Sequence, residues 1–195
     1  MKTILFVCTG NTCRSPIVAA IAQDYLDRVF GKGVYQCISA GTNCVYGDTN
    51  HNVNPALNIM GCKTIAPKES TPLSQKLIDS SDIVFCLGEN NYEKIHKDFS
   101  NVKGKCFLYD SAKTESGDPY DLQNFSEELK NKYSLSPEGF MGYVLLAKEA
   151  QAYMVELFQR PEFLELKTKP SSSFERHHPI VSLDDIDILR HFGRD

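Results

Sequence analysis

Four short segments of the chain are rich in apolar residues and have the length of a strand. They are predicted to be strands at Lys2–Val7, Tyr35–Ala40, Asp82–Leu87 and Lys105–Asp110. The runs "ILFV" in the first and "IVFCL" in the third are uninterrupted. Such runs are typical of strands that are buried on both faces, as in a parallel sheet.

The segments between these strands carry apolar residues at helical spacing. Ser15–Phe30 is predicted to be a helix, and Pro16 suits its first turn. A shorter helix is predicted with Asn54 as its N-cap, Pro55 as its first residue and Gly61 as its stop.

Further helices are predicted from the segment "TPLSQKLIDSSD", at Asn90–Phe99 and at Phe140–Phe158. Strands that alternate with helices in this way predict an α/β fold. The expected architecture is a doubly wound, four-stranded parallel sheet with helices on both faces.

The pattern changes near the end of the chain. Residues 1–158 are predicted to form one domain, followed at 159–195 by a polar linker and a short amphipathic extension. The linker, Gln159–Pro179, contains "TKPSSSFERHHP" and is polar and proline-rich. His177 and His178 within it are interpreted as polar tail residues, because no cysteine lies near them at zinc spacing.

Composition narrows the classes of function. A formal net charge of −4 gives no basic surface for nucleic acid, so none is expected as a partner. No apolar run approaches the roughly 20 residues of a membrane helix, and the first residues are interpreted as a strand rather than a signal peptide. We therefore expect a cytoplasmic protein with no membrane partner. The seven cysteines form an odd set without C-x2-C pairs, which favours reduced thiols and no metal site.

The stretch "VCTGNTCRSP", Val7 to Pro16, stands between the first strand and the first helix. Ligands of open α/β sheets bind beyond the carboxyl ends of the strands, where this loop is expected to lie. A glycine-containing turn that enters a helix points backbone N–H groups inward and forms an anion-binding nest. Arg14 can close the nest by holding two phosphate oxygens with its planar guanidinium.

Cys8 opens this stretch and is expected to lie beneath the bound anion. The positive surroundings favour its thiolate form, which is a nucleophile toward phosphorus. Ser15 can donate its hydroxyl to the sulfur, and the Asn11 side chain can fix the shape of the loop. The alternative is a tight turn that needs Gly10 and contains cysteines by chance; the strand and helix on either side favour the catalytic interpretation.

The same stretch resembles the phosphate-binding loop of the low-molecular-weight protein tyrosine phosphatases. The resemblance extends from Met1 to about Tyr120 and includes "SAGT" at Ser39–Thr42, "SSDIVFCL" at Ser80–Leu87 and "DPY" at Asp118–Tyr120. It implies a four-stranded parallel sheet whose phosphate loop, residues 8–15, follows the first strand. It also implies hydrolysis of a phosphorylated protein in two steps, through a phosphocysteine.

The resemblance assigns roles to individual residues. Cys8 is the implied nucleophile, Arg14 the transition-state clamp and Asp118 the general acid, which later activates water. Ser39 is implied to support Asn11, and Tyr120 to line the rim of the cleft. The remaining implied phosphate-binding residues are Thr9, Gly10, Asn11, Thr12, Cys13 and Ser15. No metal or other cofactor is expected, because backbone amides and Arg14 carry the charge that Mg²⁺ carries elsewhere.

Thr12 bears on which phosphate is hydrolysed. Phosphotyrosine enzymes of the family tend to carry a bulky aliphatic residue there, whereas the branch resembling protein arginine phosphatases carries threonine, as in "CTGNTCRSP". The hypothesis is a preference for phosphoarginine, with activity on small aryl phosphates retained. A phosphotyrosine-specific enzyme is the alternative, because one side chain discriminates by only about 1–3 kcal/mol.

Two other functions remain open on the sequence. Arsenate reductases share the loop and relay a disulfide through further cysteines; Cys86 falls near one of them, but "LGENNYEKIHK" after it supplies no second. A module that binds phosphate without turnover is the other, although Cys8, Arg14 and Asp118 are all present. Cys13 either forms a reversible disulfide with Cys8 or only packs. The oligomeric state stays open.

One position departs from the family pattern. Many members have a histidine ahead of the region "STPLSQK", where it supports the phosphate loop. Lys68 stands near that place here. The support of the loop is therefore expected to be built differently in this chain.

Overall fold

The computed structural model describes residues 1–44, 47–109 and 140–157. Its four strands are β1 (Lys2–Cys8), β2 (Tyr35–Gly41), β3 (Ile83–Cys86) and β4 (Cys106–Leu108). They form one sheet in the order β2-β1-β3-β4, and every neighbouring pair is parallel. The predicted four-stranded parallel α/β fold is thereby confirmed.

Five helices are described, and each lies where the sequence predicts one. They are α1 (Arg14–Phe30), α2 (Val53–Ile59), α3 (Gln75–Asp79), α4 (Glu89–Asp98) and α5 (Phe140–Leu157). The observed and predicted ends of α1, α4 and α5 differ by a residue, which is the usual uncertainty of helix ends.

The predicted start of α2 is wrong. Asn52 is its N-cap, and Asn54 lies inside the helix. The Asn54 side chain instead binds the backbone of Ala66, accepting from its N–H at 2.8 Å and donating to its carbonyl at 3.3 Å. The amide therefore holds a distant segment rather than the helix end. Gly61 follows the helix at φ 69, as expected of a stop residue.

The core lies on both faces of the sheet, because side chains alternate along each strand. Ile4, Phe6 and Cys8 of β1 belong to one cluster, with α1, α2 and α5. Leu5 and Val7 belong to a second cluster, which includes residues of α3 and α4. Helices thus cover both faces, as the uninterrupted apolar runs predict.

Aromatic rings fill the centre of the first cluster. Phe6 and Phe85 stack with ring centroids 5.5 Å apart, and Tyr109 meets both edge-on at 6.0 and 5.9 Å. All three side chains are fully buried. They join the two central strands to the segment after β4, so the carboxyl ends of the strands are held in fixed relative positions.

The topology places the loop after β1 between two neighbouring strands. β1 pairs with β2 on one side and with β3 on the other. Cys8 lies opposite Gly41, and Val7 opposite Cys86. The loop that follows Cys8 is therefore flanked by the segments that leave β2 and β3, which is where ligands of such sheets bind.

The C-terminal extension predicted at 159–195 lies outside the described residues, and its assignment stays a prediction. Among the helices that the structure does describe, none combines the length and the apolar character needed to cross a membrane.

Candidate active site

Carbonyl groups of the loop after β1 accept hydrogen bonds from segments outside the loop. The Thr42 N–H donates to the carbonyl oxygen of Cys8 at 2.9 Å, and the Asn43 N–H donates to that of Thr9 at 2.9 Å. These bonds continue the pairing of β1 with β2 beyond its last residue pair, Cys8 with Gly41. The first half of the loop therefore continues the parallel pairing of β1 with β2.

The second half of the loop is held in the same way by other segments. The Ser70 hydroxyl donates to the carbonyl oxygen of Asn11 at 3.1 Å, and the Asn50 N–H donates to that of Thr12 at 2.8 Å. In a planar trans peptide the carbonyl and the next N–H point in opposite directions. The amides that follow the four held carbonyls, at residues 9, 10, 12 and 13, therefore face the interior of the loop and form an anion nest.

Cys8 lies at the floor of this nest, as the last residue of β1, and is 2% exposed. Its sulfur accepts a hydrogen bond from the Asn11 N–H at 3.3 Å and lies 3.0 Å from the Ser15 hydroxyl. That hydroxyl also has the Ala40 carbonyl oxygen as an acceptor at 3.3 Å. One hydroxyl proton thus has two possible acceptors, the Cys8 sulfur and the Ala40 carbonyl oxygen.

Asn11 fixes the turn of the loop. Its φ is 55°, in the left-handed region that asparagine tolerates better than most residues. Its amide nitrogen donates to Ser15 Oγ and to Ser39 Oγ, both at 2.9 Å, and its Oδ1 accepts from the Thr71 N–H at 2.6 Å. The buried Asn11 side chain therefore joins the loop to α1, to β2 and to the segment at residue 71.

Ser70 and Thr71 are functional neighbours that the sequence analysis did not assign. Ser70 holds the Asn11 carbonyl and Thr71 holds the Asn11 side chain. The sequence analysis named the region "STPLSQK" only because it follows the place of a loop-supporting histidine in the family, and that place is the signal that points to these two residues. The carbonyl oxygen of Lys68 accepts a hydrogen bond from the Thr49 N–H at 2.7 Å.

Arg14 is the first residue of α1, so its side chain extends from the point where the loop joins the helix. One of its terminal nitrogens donates to Thr9 Oγ1 at 3.2 Å. The first turn of α1 has no acidic residue, which leaves the positive end of the helix dipole uncompensated there. Backbone amides, helix dipole and guanidinium all favour an anion in the same place.

Gly41 is required by close contact rather than by its backbone angles. A Cβ at this position would lie 2.7 Å from the Thr9 carbonyl oxygen and 2.9 Å from both the Gly10 carbonyl carbon and Cys44 Cβ. These distances are shorter than van der Waals contact, so any side chain would displace the loop. The sequence analysis noted "SAGT" but gave this glycine no role.

Thr12 and Cys13 complete the loop on opposite sides. Thr12 is exposed, and its neighbour in space, Asn50, lies beside a cleft of about 500 Å³. Cys13 is half-buried and packs against the core cluster of α1, α2 and α5. The residues that line the cleft are Asp48, Thr49, Asn50, His51, Asn54, Pro67 and Lys68.

Cys86 lies on the other face of the sheet from Cys8. It is opposite Val7 in the register and belongs to the second core cluster, whereas Cys8 belongs to the first. Its sulfur lies 3.4 Å from that of Cys106. Contact with the Cys106 thiol, together with burial, raises the pKa of Cys86. The sheet thus separates Cys86 from the candidate nucleophile, which opposes a disulfide relay between them.

Asp118 and Tyr120, the predicted acid and rim residues, lie outside the described residues. The structure brings the other predicted site residues together in one loop and its immediate supports. Within the described ranges, 1–44, 47–109 and 140–157, no cluster of three or more His, Cys, Asp or Glu side chains could hold a metal ion.

Comparison with known sequences identifies a family and relatives within it. The sequence profile of the family described as low molecular weight phosphotyrosine protein phosphatase matches residues 3–133. A protein-arginine-phosphatase of Bacillus subtilis (strain 168) is 34% identical over an alignment of 122 residues that covers 60% of this chain and 77% of that protein. The low molecular weight protein-tyrosine-phosphatase PtpA of Staphylococcus saprophyticus is 31% identical over an alignment of 141 residues that covers 67% of this chain and 86% of that protein.

Solved structures agree with these sequence matches. A crystal structure of a YwlE mutant from Bacillus subtilis gives a TM-score of 0.62 at 25% identity, covering 82% of this chain and 97% of that one. The low molecular weight protein tyrosine phosphatase from T. tengcongensis gives 0.63 at 22% identity, covering 82% and 99%. The second likeness, at its lower identity, shows the fold alone.

Replacing Gly41 by alanine is expected to displace the loop at Thr9 and Gly10. Overpacking of this kind costs about 1–3 kcal/mol in the free energy of unfolding. The displaced carbonyls orient the amides that bind phosphate. The loss in the free energy of phosphate binding should therefore exceed the loss in the free energy of unfolding. Gly61→Ala is the matched control: its φ of 69° strains an alanine, but no atom of the described residues lies within 4 Å of the added Cβ. Calorimetric titration with phosphate beside thermal unfolding measures both effects, and equal phosphate affinity in Gly41→Ala and the parent would contradict the role given to Gly41.

The cysteines are expected to differ widely in reactivity toward iodoacetamide, which attacks thiolates. Burial raises the pKa of Cys62 to about 11, and burial also raises the pKa of Cys37. At pH 7.5 fewer than about one in a thousand Cys62 thiols is therefore ionised. Cys8 should be alkylated first, and inorganic phosphate should protect it. Peptide mapping by mass spectrometry measures this order; labelling of Cys62 at the rate of Cys8, or a rate at Cys8 that ignores phosphate, would refute the anion nest.

Proposed function

Because the chain belongs to the low molecular weight phosphotyrosine protein phosphatase family, we propose that it hydrolyses phosphorylated side chains of proteins through a phosphocysteine at Cys8. The observation that carries this proposal is the position of the Cys8 sulfur beneath inward-facing amides, with Arg14 at the rim. A phosphoryl group seated there has its phosphorus above the sulfur and its oxygens among N–H donors.

In the first step the Cys8 sulfur bonds to phosphorus while the bond from phosphorus to the leaving atom breaks. Asp118 is proposed to give its proton to that atom, since an unprotonated phenolate or guanidine anion is a poor leaving group at neutral pH. The amides of the phosphate loop and the Arg14 guanidinium stabilise the charge on the three equatorial oxygens. The dephosphorylated side chain leaves, and the phosphoryl group stays on Cys8.

In the second step a water oxygen bonds to phosphorus and passes a proton to the Asp118 carboxylate. The sulfur–phosphorus bond breaks, which releases inorganic phosphate and returns the electron pair to Cys8. Support for this step comes from the two donors at the sulfur, the Asn11 N–H at 3.3 Å and the Ser15 hydroxyl at 3.0 Å. Both stabilise the thiolate as it leaves.

The preferred substrate is proposed to be phosphoarginine. Thr12 is exposed at the mouth of the loop and offers a hydroxyl where a bulky aliphatic residue would pack on a phenyl ring. The relative from Bacillus subtilis that is 34% identical is itself named a protein-arginine-phosphatase. A polar side chain suits the polar guanidinium of phosphoarginine better than it suits an aromatic ring.

Residues that flank the phosphorylated side chain are proposed to lie in the cleft beside Thr12. The cleft is lined mainly by polar side chains, among them Asp48, Asn50 and Lys68. We further propose that the enzyme works in the cytoplasm, because its nucleophile must stay a reduced thiol and reduced thiols persist there.

Turnover of matched peptides tests the substrate preference. The parent protein is expected to have a higher kcat/KM on phosphoarginine peptides than on phosphotyrosine peptides of the same sequence. Thr12→Ile should shift the ratio toward phosphotyrosine by about ten- to a hundredfold, whereas Thr12→Val separates the hydroxyl from the added bulk. Cys8→Ser excludes a contaminating phosphatase. A parent that clears phosphotyrosine peptides more efficiently would overturn the preference but not the reaction.

Replacement of Asp118 by asparagine tests the general acid. Loss of proton transfer is expected to lower kcat on phosphotyrosine peptides by about 10²–10⁴-fold. The loss should shrink on an aryl phosphate whose phenol is strongly acidic, because that phenolate leaves without a proton. Asp98→Asn, at an exposed position on α4, is the matched control. An equal loss on both substrates would show that Asp118 has another role.

A further inference from the structure

We infer that Asn91 positions Arg14 for catalysis through the hydroxyl of Thr9. The three residues form a chain of hydrogen bonds from the start of α4 to the phosphate loop. This inference rests on the proposed function, because its consequence is the orientation of the guanidinium that clamps the phosphoryl group. Asn91 touches neither the substrate nor Cys8 in this arrangement, so it is a positioning residue.

Asn91 is buried at the point where three segments meet. It is the third residue of α4 and only 1% exposed. Its Oδ1 accepts from the Thr42 hydroxyl at 2.8 Å and from the Thr9 hydroxyl at 3.3 Å. A buried amide oxygen with two hydroxyl donors is fully used, and both donors belong to segments that form the site.

The direction of the hydrogen bonds is fixed by chemistry. A guanidinium can only donate and an amide oxygen can only accept, so the Thr9 hydroxyl must accept from Arg14 and donate to Asn91. The orientation of the Asn91 amide is fixed in turn, because its nitrogen donates to Asn90 Oδ1 at 3.1 Å. Rotation of this amide by half a turn would place its oxygen against Asn90 Oδ1, so that two acceptors would face each other.

The arrangement orients Arg14 before any phosphate arrives. Arginine has a long flexible side chain, and an acceptor at 3.2 Å holds one terminal nitrogen toward Thr9. Thr9 alone cannot supply this constraint, since a free hydroxyl turns to suit its surroundings. Asn91 removes that freedom by accepting a hydrogen bond from the Thr9 hydroxyl. A lone pair of the Thr9 oxygen then faces the guanidinium.

The second donor to Asn91 strengthens its link to the loop. The backbone N–H of Thr42 donates to the Cys8 carbonyl oxygen at 2.9 Å, while its side chain donates to Asn91. Asn91 therefore binds the side chains of Thr9, the first residue after Cys8, and of Thr42, whose N–H holds the Cys8 carbonyl. Because the acceptor is neutral, it orients the guanidinium without cancelling the charge that binds phosphate.

Substitution of Asn91 by leucine, which is close in volume and has no polar atom, tests the inference. The quantities to measure are kcat and KM on p-nitrophenyl phosphate, the inhibition constant of vanadate and the melting temperature. The expected result is a fall of about tenfold in kcat/KM and a similar rise in the vanadate constant, the scale of one hydrogen bond to a charged group. A melting temperature that falls without these two changes would show that Asn91 is only structural and would overturn the inference.

Gln23→Leu is the matched control for loss of an inward-facing amide. Gln23 joins α1 to β2 away from the loop, accepting from the Cys37 N–H at 2.7 Å and donating to the Tyr35 carbonyl at 3.2 Å. It should lower the melting temperature and leave the vanadate constant unchanged. A parent enzyme without activity on p-nitrophenyl phosphate would refute the proposed function, whereas an active parent matched by Asn91→Leu would refute only the role of Asn91.

A double-mutant cycle with Thr9→Val tests whether the effect passes through Thr9. If both residues act on Arg14 in series, the double variant should lose no more vanadate affinity than the worse single variant, whereas losses that multiply would overturn the relay. Should Asn91→Leu fail to fold, Thr9→Val and Thr9→Ser test the same chain from its other end. Thr9→Ser keeps the hydroxyl, so its vanadate inhibition constant should lie between those of the parent and Thr9→Val. Equal vanadate constants in Thr9→Ser and Thr9→Val would refute the inference.

Discussion

The site depends on hydrogen bonds that point the carbonyl groups of the phosphate loop away from its interior. Four carbonyls of the phosphate loop accept hydrogen bonds from Thr42, Asn43, Asn50 and Ser70, which lie in segments outside the loop. Each such bond turns the next amide inward, so the anion nest is a consequence of how the surrounding chain pairs with the loop. Cys8 and Arg14 act in a place that these outside segments prepare.

Much of this arrangement could be predicted because its signals are local. The apolar runs of β1 and β3 predict strands buried on both faces, and the structure places their alternate residues in two cores. The stretch from Cys8 to Ser15 contains the nucleophile, the guanidinium and the turn within one loop, so sequence order alone brings them together. The catalytic roles of these residues, and that of Asp118, stay predictions.

What the sequence could not reveal depends on partners far along the chain. Asn54 carries the local signal of a helix cap, but its amide is used by the backbone of Ala66, so the cap prediction was wrong. Asn91 and Thr71 bind loop residues that are 82 and 60 positions away. No periodicity or local spacing encodes such pairs, because hydrogen bonds across a sheet edge are set by the packing of whole elements.

The nest is held by segments that span residues 8 to 70, so it can exist only after β2, the segment at residues 42–50 and Ser70 have all docked. A chain in which only β1 and α1 have formed holds the nucleophile and the guanidinium without a place for an oxyanion. Anions such as phosphate therefore distinguish the complete fold from compact intermediates, and by mass action they draw refolding toward it. Refolding of the protein is therefore coupled to the concentration of inorganic phosphate, which is the product of the proposed reaction.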